Sequence, residues 1–414
     1  MTNFIRIIKN YLGEYKYSLL IILKNYFLSK LFNRKNNFKK KFISNYNKTI
    51  ITKSKTHIFS GYFDINPFNI NANYHLYHGI NGNLKYYFRL GKIDLGIFDI
   101  INNKFIKIAD SNAWSHQIGS RLDWLEFQKK EALIFLDYNK NYQTKIYDPK
   151  LKNYILNIDF PYYSHSNKDF FILGINYYHL YYFRKGYGIN KKNTSNNYEN
   201  GIYIYNDYDF TRELITYEKI FKVIFGSKKF YNYNHAINHL ILSPDDRYLL
   251  FIYYCNNYED SNKSNYLLLY DFQNDKLHFL KDISNPSHMC WVNNDSFTII
   301  NYEKKTVIFK EISILDNKII IKNNFKIKDD YHLNYLSDNS YILDSYPNKD
   351  GLQSLFSKNF VSNKKNIIDM ISSNIYHRGI FRTDLHNKLS IINNYISVDA
   401  AINLYRQIII YKYD

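Results

Sequence analysis

The sequence predicts an all-β protein: a β-propeller, most simply of seven blades with four antiparallel strands each, preceded by a short basic helical extension. Three observations carry this. Strand-favouring residues dominate, with 19% aromatics, 44 Tyr and 30 Phe among 414 residues. Units of one shape recur along the chain. Within a unit, short apolar runs are separated by polar turns, and no helical period is evident after residue 57. Four strands in a repeat of roughly 40–50 residues is the pattern of a propeller blade.

The first element is residues 1–56. Up to residue 55 it holds 13 Lys/Arg and a single acid, Glu14, a balance of +12. The remaining 42 basic and 36 acidic side chains leave only +6, so the formal charge of +18 is mainly an N-terminal property and does not indicate nucleic-acid binding. Apolar residues cluster at Phe4, Ile5, Ile7, Ile8 and Leu12, and again from Tyr17 to Leu31, where Lys24 and Lys30 interrupt them. That run is too charged for a spanning helix and lacks a signal-peptide core and cleavage site. One or two basic amphipathic helices are expected, packed on the propeller or lying against an anionic membrane. The expected location is cytoplasmic, and peripheral to the membrane if the extension lies on lipid rather than on the propeller.

Residues 57–414 are then the propeller. Its early units open at "GYFDINPFNINANYHLYHGI", "GSRLDWLEFQKKEALIFLDY" and "FPYYSHSNKDFFILGINYY". Four later units each begin with a histidine: His239, His288, His332 and His386, spaced 49, 44 and 54 residues apart. After His239 come "YLLFIYY", "NYLLLYDF" and "KLHFLKDI", three further strands of one blade. With only 14 Gly and 6 Pro, Asn and Asp must form many turns, which their side chains suit. Residues 189–200 read as an exposed loop. Cys255 and Cys290 lie in apolar strand stretches and are expected as buried thiols.

The first strand of a blade is innermost. Histidines that open four neighbouring blades therefore converge at one mouth of the central channel. A histidine there can line a site, or it can bridge two blades by hydrogen bonds. His57, His75, His78, His165, His179, His278 and His377 belong to no such constellation. Trp114, Trp124 and Trp291 read as core rather than sugar-stacking platforms. Gly-rich phosphate loops, nucleophile elbows and His-Glu-x-x-His helices are absent from the sequence.

Several stretches together resemble oligogalacturonate lyases and other propeller polysaccharide lyases, a group that includes uncharacterised proteins associated with surface-glycan biosynthesis. They are "FSGYFDINPFN", "NAWSHQIGSRLDWL", "YYFRKGYGI", "INHLILSPDDRYLLF", "SHMCW", "YHLNYLSDNSYILDSYP" and "FRTDLHNKLS", and they span nearly everything after residue 57. The resemblance implies an acidic poly- or oligosaccharide as partner and β-elimination as chemistry. It also implies a divalent metal (manganese, calcium or zinc) held by blade-start histidines. His288 and His386 match such positions, and Asp384 stands where a second histidine ligand is expected.

β-Elimination on a uronate needs a cation to neutralise the carboxylate, a base for the α-proton and an acid for the leaving oxygen. Arg184 is the candidate carboxylate partner, His239 the base and Tyr187 the acid. His116, Gln117, Arg121, His235, His332 and Arg382 are the candidate substrate-binding residues. The residues leave other classes open: a non-catalytic glycan-binding or scaffold protein in surface-polysaccharide biosynthesis, or a protein-interaction propeller.

Overall fold

In a computed structural model, the described residues are Lys16, Leu20, Ser44 and 46–413, apart from 90, 195–196, 207–209, 258–262, 317, 374–378 and 402–403. They contain 28 strands, numbered in chain order, in seven four-stranded antiparallel sheets. Sheets β2–β5 (56–111), β6–β9 (123–158), β10–β13 (162–216), β14–β17 (233–284), β18–β21 (286–327) and β22–β25 (331–372) are blades 1 to 6. Blade 7 is built from β26 (Lys388–Ser390), β27 (Tyr395–Ala400), β28 (Gln407–Lys412) and β1 (Lys48–Ile51).

Burial explains the strand sequences. The second strand of blade 4, β15 (Tyr248–Asn257), is apolar along nearly its whole length because blades cover both of its faces. The outermost strand of blade 5, β21 (Lys318–Ile327), is mixed apolar and polar and largely exposed. The core lies between blades. Cys290, Ile300 and Phe309 of blade 5 pack with Leu333, Tyr341 and Phe356 of blade 6. Cys255 and Cys290 are buried and unpaired, as expected. Asn and Asp do make turns: Asn103, Asp246, Asp275, Asp338 and Asn394 all adopt the left-handed backbone region.

Two expectations are corrected. The propeller does not begin at residue 57, because β1 supplies the outer strand of the last blade, with Lys48 opposite Tyr411 and Ile51 opposite Ile408. Four apolar residues next to a lysine-rich segment carry too little pattern to reveal this pairing. Of the rest of the predicted helical extension, Lys16 and Leu20 are helical, Ser44, 46, 47 and 52–56 are not, and the others lie outside the described residues. Helices also occur after residue 57: α1 (Asn83–Phe88), α2 (Tyr177–Phe183) and α3 (Tyr217–Phe225). None exceeds three turns, too short to show a period. Asn176 and Thr216 cap the last two, accepting the N–H of His179 and Lys219.

Blade 7 is tied to blade 1 by more than β1. Buried Asp399 accepts from Ser60 N and Oγ (2.8 and 2.9 Å), Arg406 Nη2 (3.1 Å) and Lys388 Nζ (3.4 Å). His75 Nε2 meets Ser397 Oγ at 2.7 Å across the same junction.

Antiparallel order gives the disc two faces. The upper face carries the second-to-third strand connections and the blade-to-blade connections, including all three helices. The lower face carries the first-to-second and third-to-fourth turns.

Candidate active site at the channel mouth

On the upper face, near the axis, a cavity of about 440 Å³ is lined by Arg184, His239, Tyr254, His288, Asp330, Tyr346 and Arg382, among others. These residues come from blades 3 to 6 and the connection to blade 7. Tyr62 and Phe63, which follow the innermost strand of blade 1, pack against the histidine rings. Tyr62 lies 5.1 Å from His239 and 4.7 Å from His386 between centroids, and Phe63 5.5 Å from both His288 and His332. All four blade-start histidines therefore do converge.

Arg184 follows α2. Its Nη1 donates to Tyr254 Oη (3.0 Å), and its guanidinium lies over the Tyr187 ring at 4.4 Å. Among the described residues no carboxylate forms an ion pair with it. Arg382 donates from Nε to Asp384 Oδ2 (2.6 Å) and from Nη2 to Tyr187 Oη (3.3 Å). Tyr187 thus sits between two guanidinium groups, 6.2 Å from His239 by centroids.

His239 interrupts its strand, β14 (Tyr233–Leu242), with φ 58° at a register shift between Asn238 and Ile241. Such a bulge re-aims a side chain. Asn238 Nδ2 donates to His239 Nε2 (3.1 Å), while Asn238 Oδ1 accepts from Tyr163 Oη (2.7 Å). The ring proton therefore sits on Nδ1, a buried atom with no partner. Burial, then the charge of Arg184, holds the His239 pKa well below its usual value.

His332 Nδ1 bonds Asp344 Oδ1 (2.8 Å), its partner across the strand pair β22/β23. This leaves Nε2 free, and it is buried and unpartnered, as are Asp384 Oδ1 and both ring nitrogens of His386. One ligand atom from each of His332, Asp384 and His386 lies within 4.8 Å of the others. Orphaned imidazole and carboxylate atoms, with a carboxylate fixing one ring from behind, suit a divalent metal. His288, expected as a ligand, turns Nδ1 to Asp330 Oδ1 (3.0 Å) and is replaced in the triad by His332, although the two rings are 4.2 Å apart. Asp330 also accepts from Ser287 Oγ (2.6 Å) and Tyr302 Oη (3.0 Å). Burial opposes its charge, but His288, the Ser287 hydroxyl and the nearby His332 outweigh it and bring its carboxyl down to about 2.

Four expected substrate-binding residues stand outside the cavity. Arg121 is 2% exposed and spent on Asp64 (2.8 Å) and Tyr163 O (2.7 Å). His116 is fully buried against Tyr86, Trp114 and Phe381, with Nε2 on Tyr86 O (3.0 Å). Gln117 touches the site indirectly: it donates from N to Gly186 O (3.1 Å) and from Nε2 to Arg382 O (3.0 Å), joining the loops of both arginines. His235 stacks on Phe230 at 4.3 Å and bonds Tyr253 Oη (2.6 Å); the bulge at His239 breaks the alternation that would put the two histidines on one face of a regular strand. His332 joins the triad and Arg382 lines the cavity. Sequence reasoning missed Tyr62, Tyr254, Asp330, Asp344 and Tyr346. Only the acid beside the histidine in "KDDYH" offered a signal.

No protein-family model matches the chain, and no curated protein matches it. Among solved structures it is similar to an oligogalacturonate lyase in complex with manganese, with 12% identity and a TM-score of 0.62 over 91% of this chain and 95% of that one. It is likewise similar to the oligogalacturonate lyase of Vibrio parahaemolyticus, with 10% identity and a TM-score of 0.59 over 90% and 96%. At these identities the likeness is one of fold: the seven-bladed propeller is shared along almost the whole of both chains. No helix among the described residues is long and apolar enough to cross a membrane.

Proposed function

We propose that this chain binds an acidic, uronate-containing oligosaccharide at the upper channel mouth and cleaves it by β-elimination. The observation that carries the reading is Arg184, a guanidinium lining the cavity with aromatic and hydroxyl neighbours and no carboxylate partner among the described residues. A substrate carboxylate supplies the missing charge. It also offsets the cation that depresses His239, bringing that imidazole towards the range of a working base. His239 then takes the proton α to the carboxylate, the bond to the leaving oxygen breaks, and Tyr187 returns a proton to that oxygen. To act as acceptor at Nδ1, His239 needs its Nε2 protonated, which a rotation of the Asn238 amide permits. His332, Asp384 and His386 would hold a divalent ion; when bound, it supplies Lewis-acid stabilisation of developing negative charge. The manganese of the similar lyase supports this reading of the triad.

The test is incubation with uronate polysaccharides, with and without manganese, reading the ultraviolet absorbance of an unsaturated uronate. Product from the wild type and none from Arg184→Ala or His239→Ala is expected. No product from any acidic glycan refutes the lyase reading. A second reading is favoured by the Asn238–His239 contact: with Nδ1–H as donor, the site binds an acidic glycan without turning it over. Calorimetric binding that Arg184→Ala abolishes, without product, would establish it.

A further inference from the structure

Most exposed aliphatic side chains on a soluble protein are scattered and signify nothing. Here they are not scattered. Among the described residues, the aliphatic side chains more than half exposed are Ile70 (73%), Ile101 (72%), Leu151 (66%), Val361 (63%), Ile391 (52%) and Ile392 (85%). All six stand in lower-face turns, and those turns belong to blades 6, 7, 1 and 2, four consecutive blades around the ring closure. Asn393 Nδ2 donates to Ile70 O (3.0 Å) and Ile100 N to Asn73 O (2.9 Å), so the tips of blades 7 and 1 are direct neighbours.

Charge follows the same division. The apolar tips are flanked by exposed Lys104, Lys150, Lys152, Lys364 and Lys365. The carboxylates in the turns that carry these tips face inward: Asp99 accepts from Asn102 N (2.9 Å), and Asp148 from Lys150 N and Leu151 N (2.8 and 2.9 Å), both largely buried, while Asp338, in the other lower turn of blade 6, is exposed. The lower turns of blades 3 to 5 expose more acids, Asp169, Asp275, Asp295 and Asp316, although exposed Lys168, Lys276 and Lys318 stand close to three of them. The chain also reaches β1 from this side. Lys412 N bonds Asn47 O (3.0 Å) and Tyr413 N bonds Asn394 O (2.9 Å), which sets Asn47, just before β1, near the Ile391–Asn394 turn.

We propose that the lower face of blades 6, 7, 1 and 2 docks on an anionic lipid surface. The aliphatic tips enter the headgroup boundary and the flanking lysines meet the anionic headgroups. The acidic turns of blades 3 to 5 are repelled, so the disc tilts with the ring closure towards the membrane. The channel-mouth cavity is on the opposite face and stays open to solvent. The lysines argue for lipid over a protein partner, since lysine is depleted at protein interfaces.

The test is co-sedimentation of the full chain with vesicles of phosphatidylcholine containing phosphatidylserine, against vesicles of phosphatidylcholine alone. Binding to the anionic vesicles, weakened by salt, is expected. The combined variant Ile101→Ser, Ile391→Ser and Ile392→Ser should lower the partition coefficient by about tenfold or more with little change in melting temperature, because all three side chains are more than half exposed. Lys150→Glu with Lys152→Glu should remove part of the salt-sensitive binding. Absence of binding to anionic vesicles overturns the proposal. So does wild-type binding by the isoleucine variant, which would assign the attraction to the N-terminal segment alone. A dimer in gel filtration that the isoleucine variant dissociates, with vesicle binding intact, would show instead that the tips cover a second copy.

Discussion

Acid should loosen this propeller through two buried histidines that hold blade 1 to its neighbours. His78, in β3 (Tyr74–Asn81), donates from Nδ1 to Phe59 O (3.3 Å) and accepts at Nε2 from Ser120 N (3.0 Å), with Ser120 Oγ 3.1 Å away. A proton on Nε2 would face an N–H, so the folded state requires the neutral ring. His75 is likewise fully buried, between Leu76 O and Ser397 Oγ, and burial is what disfavours its charge. Burial is the main reason the folded pKa values fall from 6.5 to about 4 for His78 and about 3 for His75. A depressed value means that the unfolded chain binds a proton the folded chain refuses. The stabilisation is complete above pH 6.5 and is lost as pH falls towards the folded values. At pH 5 each histidine is 1.5 units below its unfolded pKa and well above its folded one, which costs roughly 2 kcal/mol each at 1.36 kcal/mol per unit. Urea unfolding at pH 7 and pH 5 measures this directly. His78→Gln keeps an acceptor for Ser120 N and does not titrate, so it should reduce the loss between the two pH values by about 2 kcal/mol, and with His75→Gln by about 4 kcal/mol, whatever its stability at pH 7. An unchanged pH dependence in the double variant would refute the reasoning.

Gly119→Ala should destabilise the fold by roughly 2 kcal/mol or more in the same urea assay: Gly119 has φ 59°, and a Cβ there would stand 2.4 Å from the His78 ring. Asp399→Asn leaves buried Lys388 and Arg406 without their counter-charge at the ring closure and should cost roughly 3–5 kcal/mol. Manganese at about a hundred times its dissociation constant should stabilise the wild type by roughly 2.7 kcal/mol, read as a rise in melting temperature. His386→Ala and Asp384→Asn should each abolish that rise, and a rise that survives both would remove the triad as the binding site.

The blade repeat was legible because it depends on local pattern: apolar runs of strand length, Asn and Asp at turns, and a histidine at each of four innermost strands. The same pattern could not reveal β1, whose pairing with β28 is set by a partner some 360 residues away. Nor could it give His75 and His78 a role, since their partners Ser397 and Ser120 come from other blades. Asp344 escaped notice for a related reason. It faces His332 only through the register of β22 against β23, and register is not written in composition.

The site itself departs from regular pattern. His239 and His386 hold φ values of 58° and 45°, a region that costs energy for any residue with a Cβ. A regular strand through Asn238–Ile241 would continue the alternation of faces, placing His235 and His239 on one face. The bulge instead sends His235 into the aromatic cluster of Phe230 and Tyr253 and leaves His239 on the cavity wall. Strained backbone persists where surrounding contacts fix it, and here the Tyr163–Asn238 pair does so: Tyr163 Oη donates to the Asn238 side chain and accepts His239 N (3.1 Å). At His386 the strain is accompanied by two unpartnered ring nitrogens beside unpartnered His332 Nε2 and Asp384 Oδ1. Buried polar atoms left without partners cost stability, and with one ligand atom from each of these three residues within 4.8 Å of the others, the ion proposed for the triad would relieve that cost.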